Sequence, residues 1–284
     1  FRALQEKEDN ELSMLLAHEA YKLSKENGGN LNDAQLYSAM LNAALRMNQP
    51  FNPVEVRERE PILAMTVNGN EITTLLNSNN LKKQKINSNT LISQTNLKTV
   101  AGTKNTAYLN SDGSKVVIGF DNNTLANFDS KNNFEPVVSQ GHDGLIRSVA
   151  FCNDGITTIS GGRDSAFIIW KQNKLYKKVK CASRVRAIAL GTDNTIYVGC
   201  ENGMVYQSEI DGSNLKYFAS GKGRVQSISC SGKWICIGYS DGQLQVANAR
   251  GQIIRTQFET AAVDFIAADE SSDLLITGLS SKKV

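Results

Sequence analysis

Two hydrophobic periods divide the chain. Up to about residue 48 the apolar positions recur at helical spacing. In DNELSMLLAHEAYKLSKENGG, Leu12, Leu15, Leu16, Ala20 and Leu23 share one face, with Asp9 or Asn10 able to cap the start and Gly28 the end. NLNDAQLYSAMLNAALRMN repeats the design: Asn32 serves as N-cap, Gln35 three residues on completes a capping box, and Leu36, Met40 and Ala43 or Ala44 fall on the buried side. The pattern predicts an α-helical hairpin. Pro50 and Pro53 in QPFNPVE stop helix propagation, so residues 1–53 read as hairpin plus linker and residues 54–284 as a second domain.

Beyond that boundary the apolar period drops to 2 and turns come often. A longer period overlies it. VVIGFDNNTLANFD, TTISGGRDSAFIIWK, IYVGCENGMVYQSE, CIGYSDGQLQVAN and LITGLSSKKV share an apolar run, a Gly, a polar turn and a second alternating run. Their glycines, Gly119, Gly161, Gly199, Gly238 and Gly278, stand 42, 38, 39 and 40 residues apart. A weaker first copy, TTLLNSNNLKKQK, puts Asn77 at the equivalent place, 42 residues before Gly119. Each copy holds an apolar first strand, a tight turn, the Gly-ended strand, a third strand and a fourth such as KLYKKVK or QIIRTQF. Four antiparallel strands in a repeat of about 40 residues make a β-propeller blade. The expected fold is therefore an all-β propeller, about six blades visible and the last incomplete, preceded by the helical hairpin. The sixth copy stops at GLSSKKV, which leads us to expect further blades in a longer chain.

Composition narrows the function classes. The formal charge is +3, from 31 basic and 28 acidic residues, so no strong field draws the chain to nucleic acid or anionic lipid. Five cysteines form no CxxC pair, and the two histidines, His18 and His142, are far apart; zinc spacing is absent. The cysteines read as reduced core residues of a cytoplasmic protein. No stretch approaches the length of an apolar membrane span. There is no GxxxxGK[ST], and Gly221 and Gly223 lack the third glycine of a dinucleotide loop, so no cofactor is implied. KKQK (82–85) and KKVK (177–180) read as solvated lysines on or near outer strands, guarding an edge, with phosphate contacts as the alternative.

One copy carries more specific chemistry. GHDGLIRSVAFCNDGITTISGGRDSAFIIWK, residues 141–171, brings His142, Ser160 and Asp164 close in sequence and leaves a nucleophilic reading open. No GxSxG elbow surrounds Ser160, however. The stretch resembles a WD-repeat blade over its whole length, with Gly141-His142 at its start and Trp170-Lys171 where that family has Trp-Asp. NFD, ending at Asp129, is similar one blade earlier, with Phe128 in the Trp position; Ser208 and Ala247 depart from the pattern. The resemblance extends over roughly residues 61–284. It implies that His142, Ser160, Asp164 and Trp170 form a structural hydrogen-bonded tetrad rather than a catalytic set. The segment LSMLLAHEAYKLSKENGGNLNDAQLYSAMLNAALR also resembles the lead-in to WD-repeat regions of bacterial signalling proteins that carry STAND-type nucleotidases or caspase-like domains.

The expected function rests on these features: a non-enzymatic propeller that presents a binding face to protein partners, as scaffold or sensor module of a larger signalling protein with other domains. Aligning the copies on their glycines puts Asn105, Arg147, Arg186, Gln226 and Asp264 at one position, 14, 14, 13, 12 and 14 residues before the glycine. Their neighbours Ile146, Val185, Val225 and Val263 are apolar. These five polar residues are the expected binding ring at the mouth of the central channel, with the two arginines suited to carboxylates; the alternative is that they only solvate that mouth. A propeller hydrolase or lyase with a channel-mouth site, and a purely structural platform, are the alternatives.

Overall fold

The computed structural model describes residues 60–86, 90–152, 154–269 and 274–279. The first sheet is built from β1 (Ile62–Asn68), β2 (Glu71–Leu76), β3 (Asn80–Lys85) and β4 (Leu91–Asn96). The second holds β5 (Lys104–Leu109), β6 (Lys115–Phe120), β7 (Thr124–Asp129) and β8 (Val137–Gln140). In the third are β9 (Ile146–Phe151), β10 (Thr157–Gly162), β11 (Ala166–Lys171) and β12 (Lys174–Lys180). The fourth comprises β13 (Val185–Leu190), β14 (Ile196–Cys200), β15 (Met204–Ser208) and β16 (Lys216–Ser220), and the fifth β17 (Val225–Ser231), β18 (Trp234–Tyr239), β19 (Gln243–Asn248) and β20 (Ile253–Phe258). The sixth pairs β21 (Val263–Asp269) with β22 (Leu274–Leu279). Every pairing is antiparallel between strands consecutive in sequence, so each sheet is a meander.

Successive sheets pack through their first strands, in the order β1, β5, β9, β13, β17, β21. The apolar cores accordingly lie between neighbouring sheets. Ile159, Phe167 and Ile169 of the third meet Val185, Ile188 and Val198 of the fourth; Tyr197, Val205 and Phe218 of the fourth meet Val225 and Ile237 of the fifth. Middle strands covered on both faces read as near-continuous apolar runs, and β10 is buried along its whole length. The outermost strands face solvent: every residue of β20 is exposed. Burying one such Val, Ile or Phe side chain stabilises the fold by roughly 1.5–3 kcal/mol. The Asn-rich loops supply left-handed turn residues, with φ of 75° at Asn79, 70° at Asn123 and 51° at Asn133.

The fold class expected from the sequence needs correction. Among the described residues the chain is all β and propeller-like, with no α-helix and without closure of the sheets into a ring; the only helical turn is the 3-10 piece Ser130–Asn132, capped by Asp129. The α-helical hairpin expected over residues 1–53 lies outside the described residues. The 3.6-residue apolar period is confined to that stretch; the strands of the six sheets carry either alternating or near-continuous apolar runs. A second correction concerns the first repeat. Leu75, not Asn77, holds the glycine position, since Leu75 pairs with Ala64 as Gly119 pairs with Thr106. No helix of the described residues is long and apolar enough to cross a membrane.

Candidate functional site

His142 sits in the connection between β8 and β9, Ser160 on β10, Asp164 in the turn after β10 and Trp170 on β11. The four side chains lie in one chain of contacts. Trp170 Nε1 donates to Ser160 Oγ at 2.7 Å, and Ser160 Oγ lies 2.8 Å from His142 Nε2. His142 Nδ1 stands 3.0 and 3.1 Å from the two Asp164 carboxylate oxygens. Because the Asp164 carboxylate can only accept, Nδ1 carries the proton of the neutral ring; Nε2 is then an acceptor, and the Ser160 hydroxyl donates to it while accepting from the indole N–H. Burial pushes the His142 pKa below its ordinary value against the pull of Asp164, so the ring is held neutral. Burial opposes ionisation of Asp164, yet the Asp143 N–H, Lys178 and His142 together hold its carboxyl below the usual carboxylate range.

Lys178 is a partner the sequence reading missed. Rather than guarding an edge, its ammonium reaches Asp164 at 2.9 Å, Asp143 at 2.7 Å and the Gly141 carbonyl at 2.9 Å. Its pairing on β12 opposite Ile168 of β11 turns it toward the tetrad, and that pairing is set by another strand. Ser160 is 0% exposed. The hydroxyl is enclosed, and the arrangement ties the loop before β9 to the turn after β10.

The five residues of the expected ring share one backbone feature. In the second to sixth sheets the register between the first and second strands shifts by one residue, at Lys104/Thr106, Gly161/Gly162, Val185/Ala187, Val225/Ser227 and Val263/Phe265. The residue left over on the first strand is in turn Asn105, Arg147, Arg186, Gln226 and Asp264. A bulge of this kind interrupts the ladder locally and re-aims one side chain. The first sheet has the same shift between Ile62 and Ala64, but there the extra residue is Leu63, which packs on the apolar cluster around Leu75.

Three of the five join directly. Arg186 donates to Gln226 Oε1, and Gln226 Nε2 donates to Asp264 Oδ1 at 3.0 Å, fixing the orientation of the Gln226 amide. Asn105 and Arg147 are exposed and form no hydrogen bond with these three among the described residues. Arg186 is half-buried; desolvation first, then the positive charges of Arg147 and Arg224, lowers its pKa. Arginine charge is therefore concentrated around the starts of β9, β13 and β17, with Glu201 as a counter-charge. Among the described residues no group of His, Cys, Asp or Glu has the spacing to hold a metal ion.

Comparison with known proteins gives three findings. Residues 134–171, which contain the tetrad, match the family model of the WD domain, G-beta repeat, and residues 176–269 match that of the IP5P C-F beta-propeller. No curated protein matches the chain. A solved structure, that of the computationally designed Ika8 protein, superposes with a TM-score of 0.63 at 18% identity, over 78% of this chain and 69% of that one, a likeness of fold alone. Neither family match reaches the residues before 134, so the resemblance of the N-terminal segment to signalling proteins stands on its sequence only. Both matched models are of β-propeller repeats, that of residues 134–171 being the WD repeat, and the meander sheets agree with that architecture.

Proposed function

We propose that this chain is a non-catalytic interaction scaffold or sensor module of a cytoplasmic signalling protein, and that it holds a protein partner at the mouth framed by the starts of its first strands. The observation that carries this reading is the bulge repeated at one register, which turns Asn105, Arg147, Arg186, Gln226 and Asp264 out of the strand pattern while Ile146, Val185, Val225 and Val263 beside them stay fully buried. Folding alone does not ask for polar residues there, since Leu63 fills the equivalent bulge by packing on apolar neighbours. The exposed Arg147 beside Arg186 offers guanidinium donors to the carboxylates of an acidic segment. WD repeats as a family mediate protein–protein contacts, which supports the same reading.

Partners captured by the intact protein in its own cells provide the test. The double charge reversal Arg147→Glu with Arg186→Glu is expected to leave the melting temperature within a few degrees of the parent and to weaken the captured partner more than tenfold, about 1.4 kcal/mol. A partner that binds the double variant as tightly as the parent places the interface elsewhere.

A further inference from the structure

The layers between the sheets differ in one place. Between the third and fourth sheets, Ile169 on β11 and Ile196 on β14 belong to one buried apolar cluster, both 0% exposed. The equivalent pair between the second and third sheets is Asn127 on β7 and Thr158 on β10. The register fixes this equivalence: Asn127 lies two residues beyond the partner of Gly119, as Ile169 lies two beyond the partner of Gly161. Thr158 and Ile196 each stand three residues before their own sheet's glycine, Gly161 and Gly199. Asn127 and Thr158 are only 7% and 3% exposed. Thr158 Oγ1 reaches Asn127 Oδ1 at a long 3.4 Å, and Asn127 Nδ2 is buried with no hydrogen-bond partner among the described residues.

Two smaller polar side chains in place of two isoleucines leave room. A cavity of about 270 Å³ opens here; Asn127 and Thr158 line it together with Phe128, Phe151, Val137 and Ile156, and Asn132, Gln172 and Asn173 add further uncharged polar groups. The charges at its margin are already matched: Lys115 donates to the Gly155 carbonyl and lies 3.4 Å from Asp129, and Glu135 pairs with Lys98. A charged ligand gains nothing there. Val137 and Ile156 form apolar lips, 40% and 53% exposed. The volume falls below the roughly 300–1,000 Å³ of sites for larger small molecules and suits a single amino-acid residue.

We propose that this inter-sheet cavity is a binding site for one uncharged aliphatic residue of a partner's peptide segment, whose backbone carbonyl accepts from the Asn127 amide. The soft χ2 torsion of asparagine lets Nδ2 turn to an oxygen placed in the cavity. An unmatched buried donor is costly, and the neighbouring layer shows that this chain can fill the same positions with isoleucine. The site is separate from the arginine-rich mouth and does not depend on it.

The test uses the full chain and N-acetylleucine N-methylamide as the probe, read by the side-chain amide signals of Asn127 in a ¹⁵N-labelled sample. Saturable shifts in the millimolar range are expected with this probe, and none with acetate or methylammonium at equal ionic strength. Asn127→Ile with Thr158→Ile, which copies the next layer, is expected to raise the melting temperature and to abolish probe binding, followed on neighbouring backbone amides. Asn127→Val, which keeps room but removes the donor, is expected to weaken binding at least tenfold. The proposal is overturned if the parent shows no saturable shift, if acetamide or acetate binds as well as the probe, or if Asn127→Val binds it undiminished.

Discussion

Gly161 on β10 faces Val185, the first residue of β13 in the next sheet, with no room for a side chain between them: a Cβ on Gly161 would stand well under 3.0 Å from the valine methyl. The same fit recurs between Gly119 and Ile146, Gly199 and Val225, and Gly238 and Val263. The second to fifth sheets thus each seat an apolar side chain of the next in the space their own glycine leaves open. Gly161→Ala is expected to destabilise the protein by about 1–3 kcal/mol through overpacking. Val185→Ala also destabilises, by lost burial, but the two together should cost at least about 0.5 kcal/mol less than their sum, because each relieves the other. Urea unfolding of the four proteins in the cycle measures this, and strictly additive costs would show that the glycine repeat has another cause.

That contact also explains what the sequence could and could not disclose. The phase of the glycines was visible and gave the repeat, but not its origin, since the residue each glycine accommodates stands 24 to 27 positions further on, at Ile146, Val185, Val225 and Val263. The first repeat misled the alignment for the same reason: with Lys104 rather than an aliphatic residue next in line, no glycine is needed, and Leu75 takes the place. The ring positions were legible as polar residues in an apolar strand, whereas the bulge that turns them out depends on pairing with a second strand. Lys178 and the Asn127–Thr158 pair were hidden because their roles are set by neighbours on other strands or sheets.

The buried imidazole makes stability depend on pH with a defined sign. Burial holds the folded pKa of His142 below its ordinary 6.5. Above that value the ring is neutral in both states and titration has no effect. As the pH falls below it, the unfolded chain gains a proton that the folded one refuses, so stability drops until the folded pKa is reached. Asp164, with its folded pKa below the ordinary 3.8, contributes stability above that value that is lost as the pH falls through the folded one. Urea midpoints measured from pH 7 to pH 5 should decline in the parent and decline less in His142→Gln, which cannot titrate. His142→Ala should cost about 1–3 kcal/mol at pH 7 by leaving Ser160 and Asp164 short of a partner. Identical slopes in parent and His142→Gln would remove His142 as the source.

The relay through Gln226 gives the last prediction. Arg186 and Asp264 lie on β13 and β21, with β17 between them, and the Gln226 amide accepts from one and donates to the other. Any coupling between the guanidinium and the carboxylate therefore runs through an oriented dipole, and solvent screens what passes around it. A double-mutant cycle of Arg186→Ala and Asp264→Ala should give a coupling of roughly 0.2–1 kcal/mol in the parent, the scale of a solvent-accessible pair. In a Gln226→Leu background, which keeps the bulk of the side chain but removes both its donor and its acceptor, the same cycle should fall to nearly zero. If the coupling survives the leucine unchanged, the two charges communicate directly and the amide is a bystander.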